Sequence, residues 1–169
     1  FDFRDLKFRW KGGQCPEIAD YQGQVAQIDL AKDLGMQHIV LVSSMGGTDP
    51  DNFLNSVGKT KDGDKGDILL WKRKAEQYLV ESGLDYTIIH PGGLRDDRDE
   101  CEDFVLDVND KLLDLPKHSI ARSDVARLCI AAISQWKPGH KIALDCITVP
   151  SERIRTPEQA IADFEKQGL

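Results

Sequence analysis

Two short, mostly β-branched runs, Ile39-Val40-Leu41-Val42 and Tyr86-Thr87-Ile88-Ile89, constrain this chain more than any other feature of it. The first does not alternate apolar with polar residues, as a half-exposed strand would, so it predicts a strand buried on two faces of a parallel sheet, and the second reads as a further strand. Each follows a stretch of helical periodicity closed by glycine. Ile18, Tyr21, Val25, Ile28, Leu30, Ala31 and Leu34 precede Gly35, and residues 68–81 precede Ser82-Gly83. Helix and strand alternating over short connections imply crossovers in a parallel sheet. A helix over Ser123 to Ser134, a strand at Ile142 to Leu144, and a terminal helix opened by Thr156-Pro157-Glu158 and running to about Gln167 continue the pattern. The expected fold class is α/β, the C-terminal part of a doubly wound parallel-sheet domain, with residues 1–169 forming one partial unit. Residues 1–17 read as an irregular lead-in, 48–66 as a mobile polar loop, and Arg95 to Asp103 as a solvated acidic loop.

Composition narrows the function classes. A net charge of −7 opposes a nucleic-acid surface, which would need a basic patch. No apolar run approaches the roughly 20 residues that span a bilayer. The four cysteines, Cys15, Cys101, Cys129 and Cys146, form no Cys-x-x-Cys pair, so thiols in a reducing compartment are expected rather than a disulfide framework or a zinc site. The acidic cluster Asp96 to Asp103 has no metal-loop spacing, and no metal is expected.

Four segments carry a resemblance. Ile39-Val-Leu-Val-Ser-Ser-Met-Gly-Gly47 resembles the strand-and-serine segment of short-chain dehydrogenases. Trp71-Lys-Arg-Lys-Ala-Glu-Gln-Tyr-Leu79 resembles the helix carrying that family's Tyr-x-x-x-Lys pair. Tyr86-Thr-Ile-Ile-His-Pro-Gly-Gly-Leu94 resembles the following strand and its Pro-Gly turn, and Arg122-Ser-Asp-Val-Ala126 a later helix start. Together, in this order, they are similar to the atypical, NmrA-like branch of the short-chain dehydrogenase/reductase family, with its NAD(P)-binding Rossmann fold. The resemblance implies a nicotinamide nucleotide cofactor, NADP by branch analogy or NAD. It also implies a catalytic set of Ser44, Lys74 and His90, and a cofactor-binding set of Ser43, Ser44, Lys74, His90, Pro91, Gly92 and Gly93. Placing Lys74 at the family lysine puts Leu70 where the acid tyrosine belongs, leaving that role vacant. Either Ser44 or Met45 then falls at the serine position.

No Gly-x-Gly-x-x-Gly or related phosphate turn occurs in residues 1–169. Two readings therefore stand. One is an oxidoreductase-like protein reducing a small carbonyl or quinone-like acceptor. The other is a non-catalytic Rossmann subunit or scaffold, whose open sheet edge is covered by protein partners in a plastid or mitochondrial assembly. The expected location is the cytoplasm or the plastid stroma. Because the strand at residues 39–42 would expose an apolar edge without a neighbour, residues 1–169 expressed alone should be insoluble or molten. A sharp, cooperative melt from a monomeric preparation would refute this.

Overall fold

The structure, a computed structural model, describes residues 13–58 and 66–168. Most of the proposed lead-in and residues 59–65 of the proposed loop lie outside the described residues. The chain runs through a π-helical segment at Glu17–Gln22 into α1 (Gly23–Asp33), then β1 (His38–Val42), α2 (Ile68–Glu81), β2 (Asp85–Pro91), β3 (Gly93–Arg95), β4 (Glu102–Asp107), β5 (Ser119–Ala121), α3 (Arg122–Ser134), β6 (Lys141–Pro150) and α4 (Pro157–Glu165). The main sheet has the order β1-β2-β6-β4, with the first three parallel and β4 antiparallel to β6. β3 and β5 form a separate parallel pair.

The helix stops and starts follow local chemistry. Gly35 takes φ +67° after α1, a left-handed conformation that costs glycine nothing. At α4, Thr156 and Gln159 form a reciprocal capping box with Pro157 in the first turn. The neighbours Ile88 and Ile89 point to opposite faces of β2. Ile89 joins Leu144 and Cys146 beneath Val125, Leu128, Ala131, Ile161 and Phe164 of α3 and α4. Ile88 joins Leu41 beneath Ile28 of α1 and Leu79 of α2. This two-sided burial is why apolar residues follow one another in these strands instead of alternating with polar ones.

Three expectations are corrected. The acidic stretch stays in solvent over residues 96–101, but its last two members, Glu102 and Asp103, enter β4 and are buried. Glu102 is neutralised by Arg95 and Lys117 and bonded to Thr148, and Asp103 is paired with Arg155. Opposite charges made this burial affordable, Arg95 from within the stretch and Lys117 and Arg155 from other segments, and spacing along the chain does not reveal the latter two. The last strand is ten residues long rather than three. The third correction concerns His38 and His140, which have no partners by spacing along the chain and on that ground read as surface residues. They meet at the N-terminal end of the sheet, with ring centroids 5.9 Å apart. His38 stacks on Trp136 and bonds Thr87 Oγ1 at 3.1 Å, while His140 faces Glu165 at 3.2 Å. Within the segment 48–58, Asn55 is buried and its side chain accepts the Leu69 N–H at 2.9 Å, holding the first turn of α2.

Burial, with His140 adding to it, pushes the His38 imidazole below its ordinary value, while Asp85 opposes. The unfolded chain then binds more protons near pH 6 than the folded one, so this group lowers stability as pH falls below about 6.5. His38→Asn is expected to flatten that slope between about pH 7 and pH 5, measured by urea melts of the full-length protein.

Candidate functional site

Parallel pairing carries the C-terminal ends of β1, β2 and β6 to one edge of the sheet. Val42 lies opposite Ile89, His90 opposite Asp145, and Pro91 opposite Cys146. The bonds continue past β1: Ser43 N–H donates to the Ile89 carbonyl at 2.8 Å and Met45 N–H to the Pro91 carbonyl at 3.2 Å. Ser43-Ser44 and His90-Pro91 are thereby held side by side, at the end of a parallel sheet where ligands bind in such folds.

His90 is the centre of a buried polar network. Its Nδ1 lies 3.1 Å from Asp145 Oδ1, and its Nε2 lies 3.2 Å from Glu76 Oε2 and 3.0 Å from Arg73 Nη1. Arg73 donates to Glu76 at 2.6 Å, and Ser43 Oγ donates to the other Glu76 oxygen. Nε2 thus has a partner in either protonation state: as a donor it meets the Glu76 carboxylate, and as an acceptor it meets the Arg73 guanidinium. Burial alone would push His90 down, but the hydrogen bonds to Asp145 and Glu76 outweigh it and hold the imidazole above its ordinary value. Glu76 is held below the ordinary carboxylate range. Burial opposes this, but His90, Ser43 and Arg73 favour the anion.

The glycines after Ser44 explain how Arg73 gets there. Gly46 adopts φ +93°, and a Cβ on Gly47 would collide with the Arg73 guanidinium. Asp110 fastens the same loop: its carboxylate accepts the Gly46 and Thr48 N–H groups, both at 2.8 Å, and the Thr48 hydroxyl at 2.6 Å. Its own N–H donates to Asp145 Oδ2 at 2.7 Å. Asn109 and Asp110 both hold positive φ, near +60°, a strained pair supported by these bonds.

The structure brings Ser43, Ser44, His90, Pro91 and Gly92 together. Ser43, His90 and Pro91 are buried, and Ser44 is half-buried with its hydroxyl on the Met45 carbonyl at 2.9 Å. Gly92 has a packing reason, since a Cβ there would strike the His118 carbonyl, and Gly93 is exposed next to it in β3. Lys74 is not brought to this group. It shares the exposed face of α2 with Leu70, and its ammonium lies 4.2 Å from the Trp71 ring centroid. Lys72 instead faces the β1 edge, paired with Asp20 at 2.8 Å in a small crevice with Leu41 and Val42. Arg73, Glu76, Asp110 and Asp145 escaped sequence reasoning. The available signals were an acid on the inward face of α2 and a lone aspartate within the apolar run of residues 142–149.

Because Glu76 is depressed and His90 raised, the pair contributes most stability between their unfolded values, about 4.3 and about 6.5. The His90 contribution is lost as pH rises through its raised folded value, and that of Glu76 as pH falls through its lowered one. Glu76→Gln should destabilise the full-length protein by about 3–5 kcal/mol at pH 6, read from urea melts, and by less at pH 9. An equal loss at both pH values would count against a charged His90.

Comparison with known proteins places this geometry. Residues 10–135 match the sequence model of an NAD(P)H-binding family. The chain is 49% identical over 127 residues to sanguinarine reductase of Eschscholzia californica, covering 75% of this chain and 44% of that one. It is 44% identical over 151 residues to an uncharacterized chloroplastic protein of Arabidopsis thaliana, covering 89% and 44%. The chain therefore spans less than half the length of these relatives. A putative NAD-dependent epimerase/dehydratase from Bacillus halodurans shares the fold at a TM-score of 0.66 and 22% identity, covering 90% of this chain and 65% of that one. With its parallel sheet, its strand-end serines and its match over residues 10–135, this chain belongs to the NAD(P)H-binding family of Rossmann-like α/β proteins, in agreement with the resemblance to atypical short-chain dehydrogenase/reductases.

Proposed function

We propose that this chain is the part of an NAD(P)H-dependent reductase that receives the nicotinamide–ribose end of the cofactor and a small carbonyl or quinone-like acceptor. The observation carrying this reading is the buried His90, held between Glu76 and Asp145 beside Ser44 at the strand ends. The reductase named among the relatives and the NAD(P)H-binding family support it. NADP is preferred to NAD by branch analogy, and the chloroplastic relative favours the plastid over the cytoplasm.

The residues present fit one end of the cofactor. The Ser44 hydroxyl and the Lys72 ammonium flank the end of β1, two donors suited to ribose and carbonyl oxygens, whereas a pyrophosphate needs the backbone N–H groups of a Gly-rich turn, which residues 1–169 do not contain. Bound NAD(P)H supplies a hydride. The chain's own work is to hold the acceptor oxygen at the Arg73 guanidinium and deliver a proton from His90 Nε2, after which Arg73 Nη1 donates to the vacated nitrogen. His90 thereby takes the role of the family tyrosine. Neither Leu70, on the outer face of α2, nor Ile68, four residues before Lys72, can donate a proton.

A second unit carrying the Gly-rich turn would pair along β1, whose outer edge has no strand neighbour among the described residues. Leu30 on α1 with Leu34 just after it, and Ile130 and Ile133 on α3 across the sheet, are 58–67% exposed, apolar surfaces on both faces that such a unit would cover. The alternative reading, a non-catalytic scaffold, draws on the same open edge and the missing tyrosine.

Titration of the full-length protein with NADPH is expected to raise its melting temperature. His90→Gln is expected to keep NADPH binding while lowering kcat on carbonyl acceptors by about 10²–10⁴-fold, the usual worth of a general acid. Absence of NADPH binding would leave the scaffold reading in place. Unchanged turnover in His90→Gln would remove His90 from the chemistry.

A further inference from the structure

We propose that the cavity beside His90 is a binding site for a neutral carbonyl compound of one or two rings, with Arg73 as its hydrogen-bond donor. This deepens the reductase reading and rests on it for the identity of the ligand as the acceptor. The cavity holds about 310 Å³, at the lower end of the small-molecule range, and is lined by Arg73, His90, Val108, Asn109, Ala143 and Asp145. It exists because α2 covers β1 and β2 but leaves the first half of β6 bare. β4 pairs with β6 only from Asp145 onward, so Ala143, within a strand of the main sheet, stays exposed.

The hydrogen-bonding state of the lining selects the ligand class. Asp145 has both oxygens engaged, one by His90 and one by the Asp110 N–H. Arg73 uses only Nη1, on Glu76 and His90. Its Nη2 is 4.0 Å from Asp110, beyond hydrogen-bond reach, and neither Nη2 nor Nε has an acceptor among the described residues. The lining therefore offers guanidinium donors and the Asn109 amide, and calls for a ligand oxygen that accepts. An anion is disfavoured, because the carboxylates Glu76, Asp110 and Asp145 outnumber Arg73 even with His90 protonated. Val108 and Ala143 supply apolar walls for a ring. A neutral ketone or quinone meets all three conditions, and neither a carboxylate nor a hydrocarbon does.

The test uses ¹⁵N-labelled full-length protein titrated with 1-tetralone, with benzoate as the anionic control and tetralin as the hydrocarbon control. The side-chain signals of Asn109 and Arg73 Nε are followed, and NADPH binding is measured separately. 1-Tetralone should shift both signals and bind at least about tenfold more tightly than either control. Ala143→Leu, which fills the cavity without touching the polar network, should weaken 1-tetralone about tenfold or more while leaving NADPH binding and the melting temperature unchanged. The proposal is overturned if benzoate or tetralin binds as well as 1-tetralone, if the shifts survive Ala143→Leu, or if no shift occurs. Failure of 1-tetralone in a protein that binds NADPH refutes the cavity assignment alone, whereas failure of NADPH refutes the cofactor reading and leaves the cavity result to stand on its own shifts.

Discussion

A histidine clamped between two buried carboxylates is the interaction around which the rest of this structure is organised. Glu76 belongs to α2, His90 to β2 and Asp145 to β6, so three elements distant in sequence meet at one imidazole. Each charge would be expensive alone in the interior, and each is tolerated because the other two, with Arg73 and the Ser43 hydroxyl, satisfy it. The network also sets the angle at which α2 lies on the sheet, since Arg73 and Glu76 must both reach His90.

The loop after β1 is the counterpart of that clamp. Gly47 removes a side chain that would block Arg73, Gly46 one that would strike Asn52, and Asp110 takes the amides the loop would otherwise leave unpaired. A motif that resembles a family signature thus has a local mechanical cause: the guanidinium has to cross the backbone to reach the histidine. The same economy operates at Gly92, where the His118 carbonyl occupies the space of a Cβ. At the other end of the sheet, the His38 imidazole is shifted in the opposite sense to that of His90. The two ends of one sheet therefore respond to acid in opposite directions.

Much of the site's address was legible before any coordinates. Ser43, Ser44, His90 and Pro91 could be assigned to one place because parallel strands bring their C-terminal ends to a common edge, and the strands themselves were readable from their apolar runs. Lys74 shows the limit of such reasoning. A run of three cations on a helix offers three faces, about 100° apart, and only the docking of α2 decides that residue 73 meets the histidine, residue 72 the β1 edge and residue 74 the solvent.

The sequence by itself determined the α/β class, the order of the four α-helices and of three of the four main-sheet strands, and the edge of the sheet on which the candidate site lies. These follow from periodicity and capping, which act between residues a few positions apart. Only the tertiary structure decided which polar groups are buried together: Glu76 with His90, Asp145 with Asp110, Glu102 with Arg95, His38 with His140. A buried charge is stable only through partners supplied by other elements, and those partners are set by three-dimensional packing rather than by spacing along the chain.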